Sequence, residues 1–323
     1  MRQLALVWIT CLAGAAVTAA AGAAGDVAAA GDVEGLRAPT NLVPLRTLGG
    51  REGGLEFRRP AAVVTTPHPG VLVADAGNSR VVHLDLDDGF LWEAGGLGTG
   101  EGYVGRPTAV ATVSSLSYLV LDALARRVLE FHARGEYRGV ALDLTRPDLR
   151  DRLGDVDPRG ITVDREGNTI ISDRDGDRLL VFSSVWDFLY EIGGFGDDAQ
   201  SFADPEGLAV GRQRLYVADS MNGRVQVLDL LGGFIDSWEL PGGGLPLAVA
   251  VDGDGNVYTA DAGSDRVVVF TPDGKVACQI GAHGRGPGSF RRPSGLCIAG
   301  ELLVVADADN DRLQIFRIQR TSL

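Results

Sequence analysis

The chain of 323 residues is 45% hydrophobic and 23% charged, which is typical of a globular protein that buries a sizeable core. Glycine is abundant, with 45 residues against 14 prolines, and this favours many tight turns. Acidic residues outnumber basic ones by 43 to 30, so the net charge is -13. Because nucleic acids and anionic membranes are bound mainly through cations, this charge argues against both as partners.

The first 24 residues have the pattern of a secretory signal peptide. Arg2 supplies a positive charge, residues 4–17 are apolar, and the small residues that follow offer cleavage sites. This apolar stretch is shorter than the roughly 20 residues of a membrane span, although an uncleaved anchor is an alternative. We predict a secreted or periplasmic protein with four parts: a signal peptide (1–24), a flexible segment (25–41), one folded domain (42–319) and a tail (320–323).

One motif occurs six times along the chain, and it indicates an internal repeat. In every copy an Asp is followed five positions later by an Arg, and successive Asp residues are 42 to 51 positions apart. The pairs are Asp75 and Arg80, Asp122 and Arg127, Asp173 and Arg178, Asp219 and Arg224, Asp261 and Arg266, and Asp307 and Arg312. Because the pair is present in every unit, we interpret it as part of the scaffold.

The units share a strand pattern as well as this motif. The prolines that open them are Pro60, Pro107, Pro158, Pro205, Pro246 and Pro293. An apolar strand and a turn follow each proline, a second strand ends at the Asp, a third begins at the Arg, and a turn leads to a fourth. Four strands in about 46 residues predict an all-β, six-bladed propeller with four antiparallel strands per blade. Only residues 146–153 have the pattern of a short helix.

The two ends of the chain complement each other. The sixth unit stops after its third strand, at residues 312–318, and has no fourth strand. A strand-like segment, Leu45-Arg-Thr-Leu48, precedes the first unit, and the linker at 50–60 aligns without gaps on the linker at 283–293. We therefore predict that the N-terminal strand completes the last blade, so that the closed ring has no exposed sheet edge between its first and last blades.

These units resemble the NHL repeat. The resemblance is clearest in Gly286-Pro-Gly-Ser-Phe-Arg-Arg-Pro293, in the following Val305-Ala-Asp307-Ala-Asp-Asn310-Asp-Arg312, and in Asp252-Gly-Asp-Gly-Asn-Val-Tyr258. It covers residues 42–319, is to NHL propellers of the exported bacterial type, and implies the six-bladed fold. It says little about function, because NHL-type propellers include protein-binding and RNA-binding modules, sensor domains of exported bacterial kinases and a group of zinc-dependent lyases.

The same resemblance allows a test for a catalytic metal. The lyases of the family carry His after the blade-opening prolines, so that several imidazoles meet in the central channel. Here these positions hold Ala61, Thr108, Arg159, Glu206, Leu247 and Ser294. The four histidines, which show no ligand spacing, are His68, His83, His132 and His283. We therefore predict no zinc centre and no cofactor.

Two further patterns are interpreted as structural. The loops at 252–256 and 173–177 resemble the start of an EF-hand loop, but both lack its Gly at position six and its Glu at position twelve, so we predict ordinary turns.

Cys278 and Cys297 fall on strands at opposite edges of neighbouring blades, too far apart for a disulfide, so we predict two free cysteines.

The candidate binding residues are those that differ between blades. Arg159 and Glu206 are the only charged residues after the opening prolines, on neighbouring blades, and they either pair with each other or orient a ligand. The longest connector, at 146–157, is rich in charges and includes Arg150 and Arg152. We predict that these four residues form a ligand-binding surface at the mouth of the channel, since function in repeat proteins concentrates where units differ.

The predicted function is that of an exported, monomeric, non-catalytic binding or scaffold propeller. We expect the channel-mouth face to recognise a protein, a peptide or a cell-envelope component. No nucleophile elbow and no phosphate-binding loop is present in the sequence, and no catalytic residue is assigned. The alternatives are a lyase or hydrolase that acts on a small molecule or peptide, and an electron-transfer or sensory accessory protein.

Overall fold

The computed structural model describes residues 38–320, except 50–54, 68–69, 88, 97, 99 and 101. Over these residues the chain forms six antiparallel sheets of four strands each, arranged as blades around a channel. The predicted all-β, six-bladed propeller is therefore confirmed. The predicted signal peptide at 1–24, most of the segment at 25–41 and the last three residues lie outside the described residues.

Strands are numbered in chain order, and the first strand of each blade is the innermost. One strand, β1 (Pro39–Gly49), precedes blade one. Blade one contains β2 (Pro60–Thr65), β3 (Val71–Asp75), β4 (Arg80–Asp85) and β5 (Gly89–Gly95). Blade two contains β6 (Pro107–Ser114), β7 (Ser117–Asp122), β8 (Arg127–His132) and β9 (Tyr137–Asp143). Blade three contains β10 (Pro158–Val163), β11 (Thr169–Asp173), β12 (Arg178–Phe182) and β13 (Phe188–Gly193).

The second half of the chain repeats this plan. Blade four contains β14 (Pro205–Gly211), β15 (Arg214–Asp219), β16 (Arg224–Asp229) and β17 (Phe234–Glu239). Blade five contains β18 (Pro246–Val251), β19 (Val257–Asp261), β20 (Arg266–Phe270) and β21 (Val276–Ile280). Blade six contains β22 (Pro293–Ala299), β23 (Leu302–Asp307) and β24 (Arg312–Arg320), with β1 as its outermost strand.

Each innermost strand begins at one of the opening prolines. Proline is tolerated at the first residue of a strand, where it need not donate to the ladder. The second strands, such as β3 and β19, are buried along their whole length because both faces of a blade pack against neighbouring blades. The outermost strands carry both half-buried and exposed residues, as β21 shows. The hydrophobic core therefore lies between the blades, in the middle of each sheet.

The ring closes as predicted. Strand β1 pairs antiparallel with β24, placing Leu42 opposite Ile318 and Leu48 opposite Leu313. Leu42 is buried against Phe316 and other residues of blades five and six. The paired strands extend slightly beyond the predicted domain limits, from Pro39 to Arg320. The N-terminal strand therefore satisfies the edge of β24 that would otherwise be open.

The predicted helix is present as α1 (Pro147–Leu153), between blades two and three. Pro147 occupies the first turn, where its missing N–H costs no hydrogen bond. Leu149 and Leu153, four residues apart, lie on one helix face and are buried in the core shared by these blades. Within the described part of the chain, no helix is long and apolar enough to span a membrane.

The six Asp–Arg pairs fasten the linkers between blades. In each pair the Arg Nε lies 2.7 to 3.4 Å from an oxygen of a fully buried Asp. The Asp also accepts a linker N–H, as Asp307 does from Arg291 at 2.7 Å. The Arg donates to linker carbonyls, as Arg312 does to Ser289 at 2.9 Å. One pair per blade thus satisfies backbone groups of the linker that enters that blade, which supports the predicted structural role.

Cys278 and Cys297, the two cysteines among the described residues, are free, as predicted. Cys278 is half-buried in β21, and Cys297 is buried in β22 of the next blade. Burial raises the pKa of the Cys278 thiol to about 11 and that of Cys297 further still. Both side chains are therefore neutral at physiological pH and pack as small apolar groups.

Candidate functional site at the channel mouth

The six innermost strands surround a central cavity of about 1570 Å³. The six residues that follow the opening prolines all line it: Ala61, Thr108, Arg159, Glu206, Leu247 and Ser294. They lie where the innermost strands begin, because each is the second residue of its strand. We call this end the channel mouth; it consists of these six residues, the six that precede the opening prolines, and Arg174.

Arginines dominate the channel mouth. The residue before the opening proline is an Arg in blades one, two and six, and the charged residues that line this end of the cavity are Arg59, Arg106, Arg159, Arg174, Arg292 and Glu206. Over the whole cavity six arginines face three acids, although acids prevail in the chain as a whole. The lining therefore inverts the overall charge balance of the protein.

Arg159 and Arg174 share one carboxylate. The Nη2 atoms of Arg159 and Arg174 lie 2.7 and 2.6 Å from the same oxygen of Asp157. Only 16% of the Arg159 side chain is exposed, and its Nε is buried without a hydrogen-bond partner in the described chain. Because two guanidinium groups share one counter-ion, Arg159 retains unused hydrogen-bonding capacity.

Glu206 is held beside Arg159 by backbone contacts. The Ser172 hydroxyl donates to the Glu206 carbonyl at 2.6 Å and accepts the Gly160 N–H at 2.8 Å. A Cβ at Gly160 would lie 2.4 Å from the Glu206 carbonyl oxygen, so only glycine permits this approach of the two strands. Strands β10 and β14 thus bring the residues after their opening prolines side by side.

The Glu206 carboxyl group is half-buried and has no hydrogen bond or ion pair with any residue that the structure describes. Burial raises the pKa of Glu206 to about 7, against the opposing effect of Arg159 and Arg174 and with added repulsion from Asp157 and Asp204. The mutual ion pair between Arg159 and Glu206, one of the two predicted interpretations, is not formed, since Arg159 pairs with Asp157 instead. At neutral pH the carboxyl group can therefore donate or accept a proton.

The structure places two of the four predicted binding residues in the channel and the other two outside it. Arg159 and Glu206 line the channel, whereas Arg150 and Arg152 do not. The guanidinium carbon of Arg152 lies 4.4 Å from the ring centre of Phe188, at the start of the outermost strand of blade three. Arg150 approaches Asp155 at 3.8 Å on the surface. Helix α1 places these two arginines at the periphery because its apolar face anchors it between blades two and three.

Arg174 and the three arginines before the opening prolines were not predicted from the sequence, whereas Asp157 fell within the predicted charged connector at 146–157. A pattern for Arg174 was available, since it follows the repeated Asp, where the other blades have small residues: Ala76, Ala123, Ser220, Ala262 and Ala308. The position before each opening proline was likewise visible in the repeat. These positions become informative only when the repeats are compared column by column.

Within the described residues, no group of three His, Cys, Asp or Glu side chains is arranged to hold a metal ion. His83 is buried in β4, His132 ends β8, and His283 lies 2.6 Å from Asp265, while His68 is outside the described residues. In the loop at 252–256, the Asp252 carboxylate accepts the Asn256 N–H at 2.9 Å, which is the contact expected of a turn. At the channel mouth five arginines outnumber three acids, so this end of the channel is better suited to anions than to cations.

Comparison with known proteins agrees with this architecture. Residues 202–228 match the NHL repeat. No protein of curated function matches the sequence.

Similar solved structures include virginiamycin B lyase from Staphylococcus aureus, with 15% identity, a TM-score of 0.58 and coverage of 85% of this chain and 99% of the other. A PQQ-bound aldose sugar dehydrogenase from Streptomyces coelicolor has 13% identity, a TM-score of 0.60 and coverage of 87% and 100%. A putative gluconolactonase has 16% identity, a TM-score of 0.65 and coverage of 89% and 96%.

At these identities the likeness extends to the fold alone, and the three names describe different chemistries. The repeat match, the six four-stranded blades and the closing N-terminal strand together identify the chain as a six-bladed β-propeller with an NHL repeat at residues 202–228.

Proposed function

We propose that this protein is an exported, non-catalytic binding propeller whose channel mouth recognises an acidic segment of a protein or peptide. The observation that carries this proposal is the concentration of five arginines at the mouth of a channel in a strongly acidic chain. Export is the expectation from the pattern of residues 1–24. A positive mouth would attract acidic partners, while the negative surface elsewhere would repel them from other sites.

Two of these arginines are available to a partner without rearrangement. The Arg106 and Arg292 side chains are exposed and form no hydrogen bond or ion pair within the described chain. Arg59 differs, since its Nε lies 3.5 Å from the exposed Asp309. A guanidinium group that has no internal partner binds a carboxylate without first losing a contact. Arg106 and Arg292 are therefore the residues through which the mouth would meet a partner first.

A labelled Glu-Gly repeat peptide and its Gln-Gly counterpart test this function. We expect the full chain to bind the Glu peptide, and the double variant Arg106→Glu, Arg292→Glu to bind it at least tenfold more weakly. The control is the double variant Arg150→Glu, Arg317→Glu, which changes the net charge equally at exposed positions outside the channel. Equal weakening by both double variants, or equal binding of both peptides, would contradict the proposal.

A second candidate function is supported by Glu206. A carboxyl group with a pKa of about 7 and no internal partner has the properties of a general acid or base. Structural neighbours named as a streptogramin B lyase and a putative gluconolactonase make lyase activity on streptogramin B and gluconolactonase activity the reactions to assay. Turnover that Glu206→Gln abolishes while ligand binding persists would favour the enzyme over the binding module.

A further inference from the structure

Within the channel mouth, we propose that Arg159 and Glu206 form a subsite for a single carboxylate group, carried by a side chain or by the C-terminus of a bound peptide. The subsite rests on the proposed binding role of the mouth and names the chemical group that enters it. Because Glu206 is part of this subsite, the affinity for carboxylates depends on pH around neutrality. Neither residue is fully used by the protein itself.

Arg159 supplies the charge and one donor. Its Nη2 donates a hydrogen bond to Asp157, whereas Nε and Nη1 have no hydrogen-bond partner in the described part of the chain. Asp157 is also held by Arg174 at 2.6 Å, so it stays paired if Arg159 turns toward a ligand. Arg159 can therefore bind a carboxylate without leaving an unpaired buried acid behind, which would otherwise be costly.

Glu206 supplies the second donor when it is protonated. The charged groups that face it are Arg159 on β10, Arg174 after β11, Asp157 before β10 and Asp204 before β14. With Glu206 neutral, these four charges balance, and an incoming carboxylate meets an O–H donor. With Glu206 ionised, the same ligand meets a second carboxylate at short range, and binding is opposed.

The donors match a carboxylate better than a phosphate. Arg159 and protonated Glu206 offer one donor group to each of the two carboxylate oxygens. A phosphate dianion carries more charge and three terminal oxygens, and would meet Asp157 and Asp204 close by. A cation would meet Arg159 and Arg174 first. The geometry therefore favours a monovalent carboxylate over these other groups.

Four capped tripeptides distinguish the sources of such a group. Acetyl-Gly-Gly-Glu-amide presents a side-chain carboxylate, and acetyl-Gly-Gly-Gln with a free C-terminus presents a terminal carboxylate. Acetyl-Gly-Gly-Gln-amide is the neutral control. Acetyl-Gly-Gly-phosphoserine-amide presents a phosphate. Titration of the full chain at pH 6 and pH 8 measures each dissociation constant. We expect one or both carboxylate probes to bind roughly tenfold more tightly at pH 6, as a group with a pKa of about 7 dictates.

Two variants assign the effect to the two residues. Glu206→Gln keeps a neutral donor, and we expect it to bind the carboxylate probe at pH 8 as the wild type does at pH 6. Arg159→Met should weaken binding at least tenfold at pH 6, while Asp157 keeps its contact with Arg174. Arg150→Met is the matched control outside the channel and should leave affinity within twofold. Unfolding midpoints of all variants show whether each one is folded.

Several results would overturn the subsite. These are tighter carboxylate binding at pH 8, loss of binding in Glu206→Gln, tighter binding of the phosphate probe, and no carboxylate binding at all. Binding of the Glu-Gly peptide that depends on Arg106 and Arg292 but is unchanged by Arg159→Met and Glu206→Gln would refute the subsite and leave the proposed function intact. Absence of any acidic-peptide binding would refute both.

Discussion

Arg320, the last residue of β24, bonds Asp252 of blade five through its Nη2 at 3.2 Å. The same guanidinium group lies 3.4 Å from Asp254 and 2.5 Å from Glu301. Only 11% of the Arg320 side chain and 1% of that of Asp252 are exposed. The end of β24 is therefore tied to the neighbouring blade, at the end of the channel opposite the mouth.

Replacing Arg320 should destabilise the ring. Arg320→Met leaves the buried Asp252 carboxylate without its cation, although N–H and O–H donors remain around it, so we expect a loss of about 2 kcal/mol in the free energy of unfolding. Arg317→Met, at an exposed position on the same strand, should cost less than about 0.5 kcal/mol. Urea denaturation of both variants measures the difference, and equal midpoints would contradict this role of Arg320.

The closing strand itself is open to a deletion test. Removing residues 1–49 deletes β1 and leaves β24 with an unpaired edge, so we expect a lower unfolding midpoint for the whole ring and a tendency to aggregate. Removing residues 1–35 keeps β1 intact and should change the midpoint little. Chemical denaturation of the two shortened chains decides the matter, and indistinguishable midpoints would refute the role of β1 in stability.

The Asp–Arg pairs should differ in strength between blades. Arg224 is 2.7 Å from Asp219 and donates to the Asp197 and Ser201 carbonyls at 2.6 and 2.9 Å. In blade two the corresponding ion-pair distance, from Arg127 to its Asp, is 3.4 Å, and Arg127 donates to the Tyr103 carbonyl among the linker residues that the structure describes.

We expect Arg224→Met to cost about 3 kcal/mol of unfolding free energy, because it removes the cation from a buried carboxylate and the guanidinium donors from the linker carbonyls. Arg127→Met should cost about 1 kcal/mol, since its ion pair with the buried Asp122 is longer. Both values follow from urea denaturation. A larger loss for Arg127→Met than for Arg224→Met would show that these contacts do not set the strength of the pairs.

Glu206 should make stability depend on pH. Burial raises its pKa to about 7 in the folded protein, from the ordinary value of 4.5. Between pH 4.5 and 7 the folded state therefore binds more protons than the unfolded state. The stability that Glu206 contributes is fully present below pH 4.5 and is lost as the pH rises through 7. Glu206→Gln removes this dependence.

We therefore expect Glu206→Gln and wild type to have similar free energies of unfolding at pH 4.5. By pH 8 the variant should be more stable than wild type by about 2–3 kcal/mol. Denaturation at four pH values measures this difference. Glu166→Gln, at an exposed turn in blade three, is the control and should follow the wild type. A difference that is constant across the range would mean that the Glu206 pKa is ordinary.

The order and number of strands can be predicted from the repeat pattern alone. Opening proline, Asp and Arg recur at nearly constant spacing, and each blade must use them in the same way because neighbouring blades pack through equivalent strands. The gap-free alignment of the first and fifth linkers was likewise sufficient to predict the pairing of β1 with β24. The same periodicity places Arg159 and Glu206 in one ring around the channel.

Side-chain partners depend on distances that no periodicity contains. Arg159 had two acids within reach, and only the folded chain shows that it pairs with Asp157 and leaves Glu206 alone. Arg152 lies in a connector that leads to the channel, yet its contact with Phe188 holds it at the periphery. The repeat pattern assigns each residue to a blade and to a place on its strands. An ion pair, in contrast, depends on rotamers, burial and competing charges over a few ångströms.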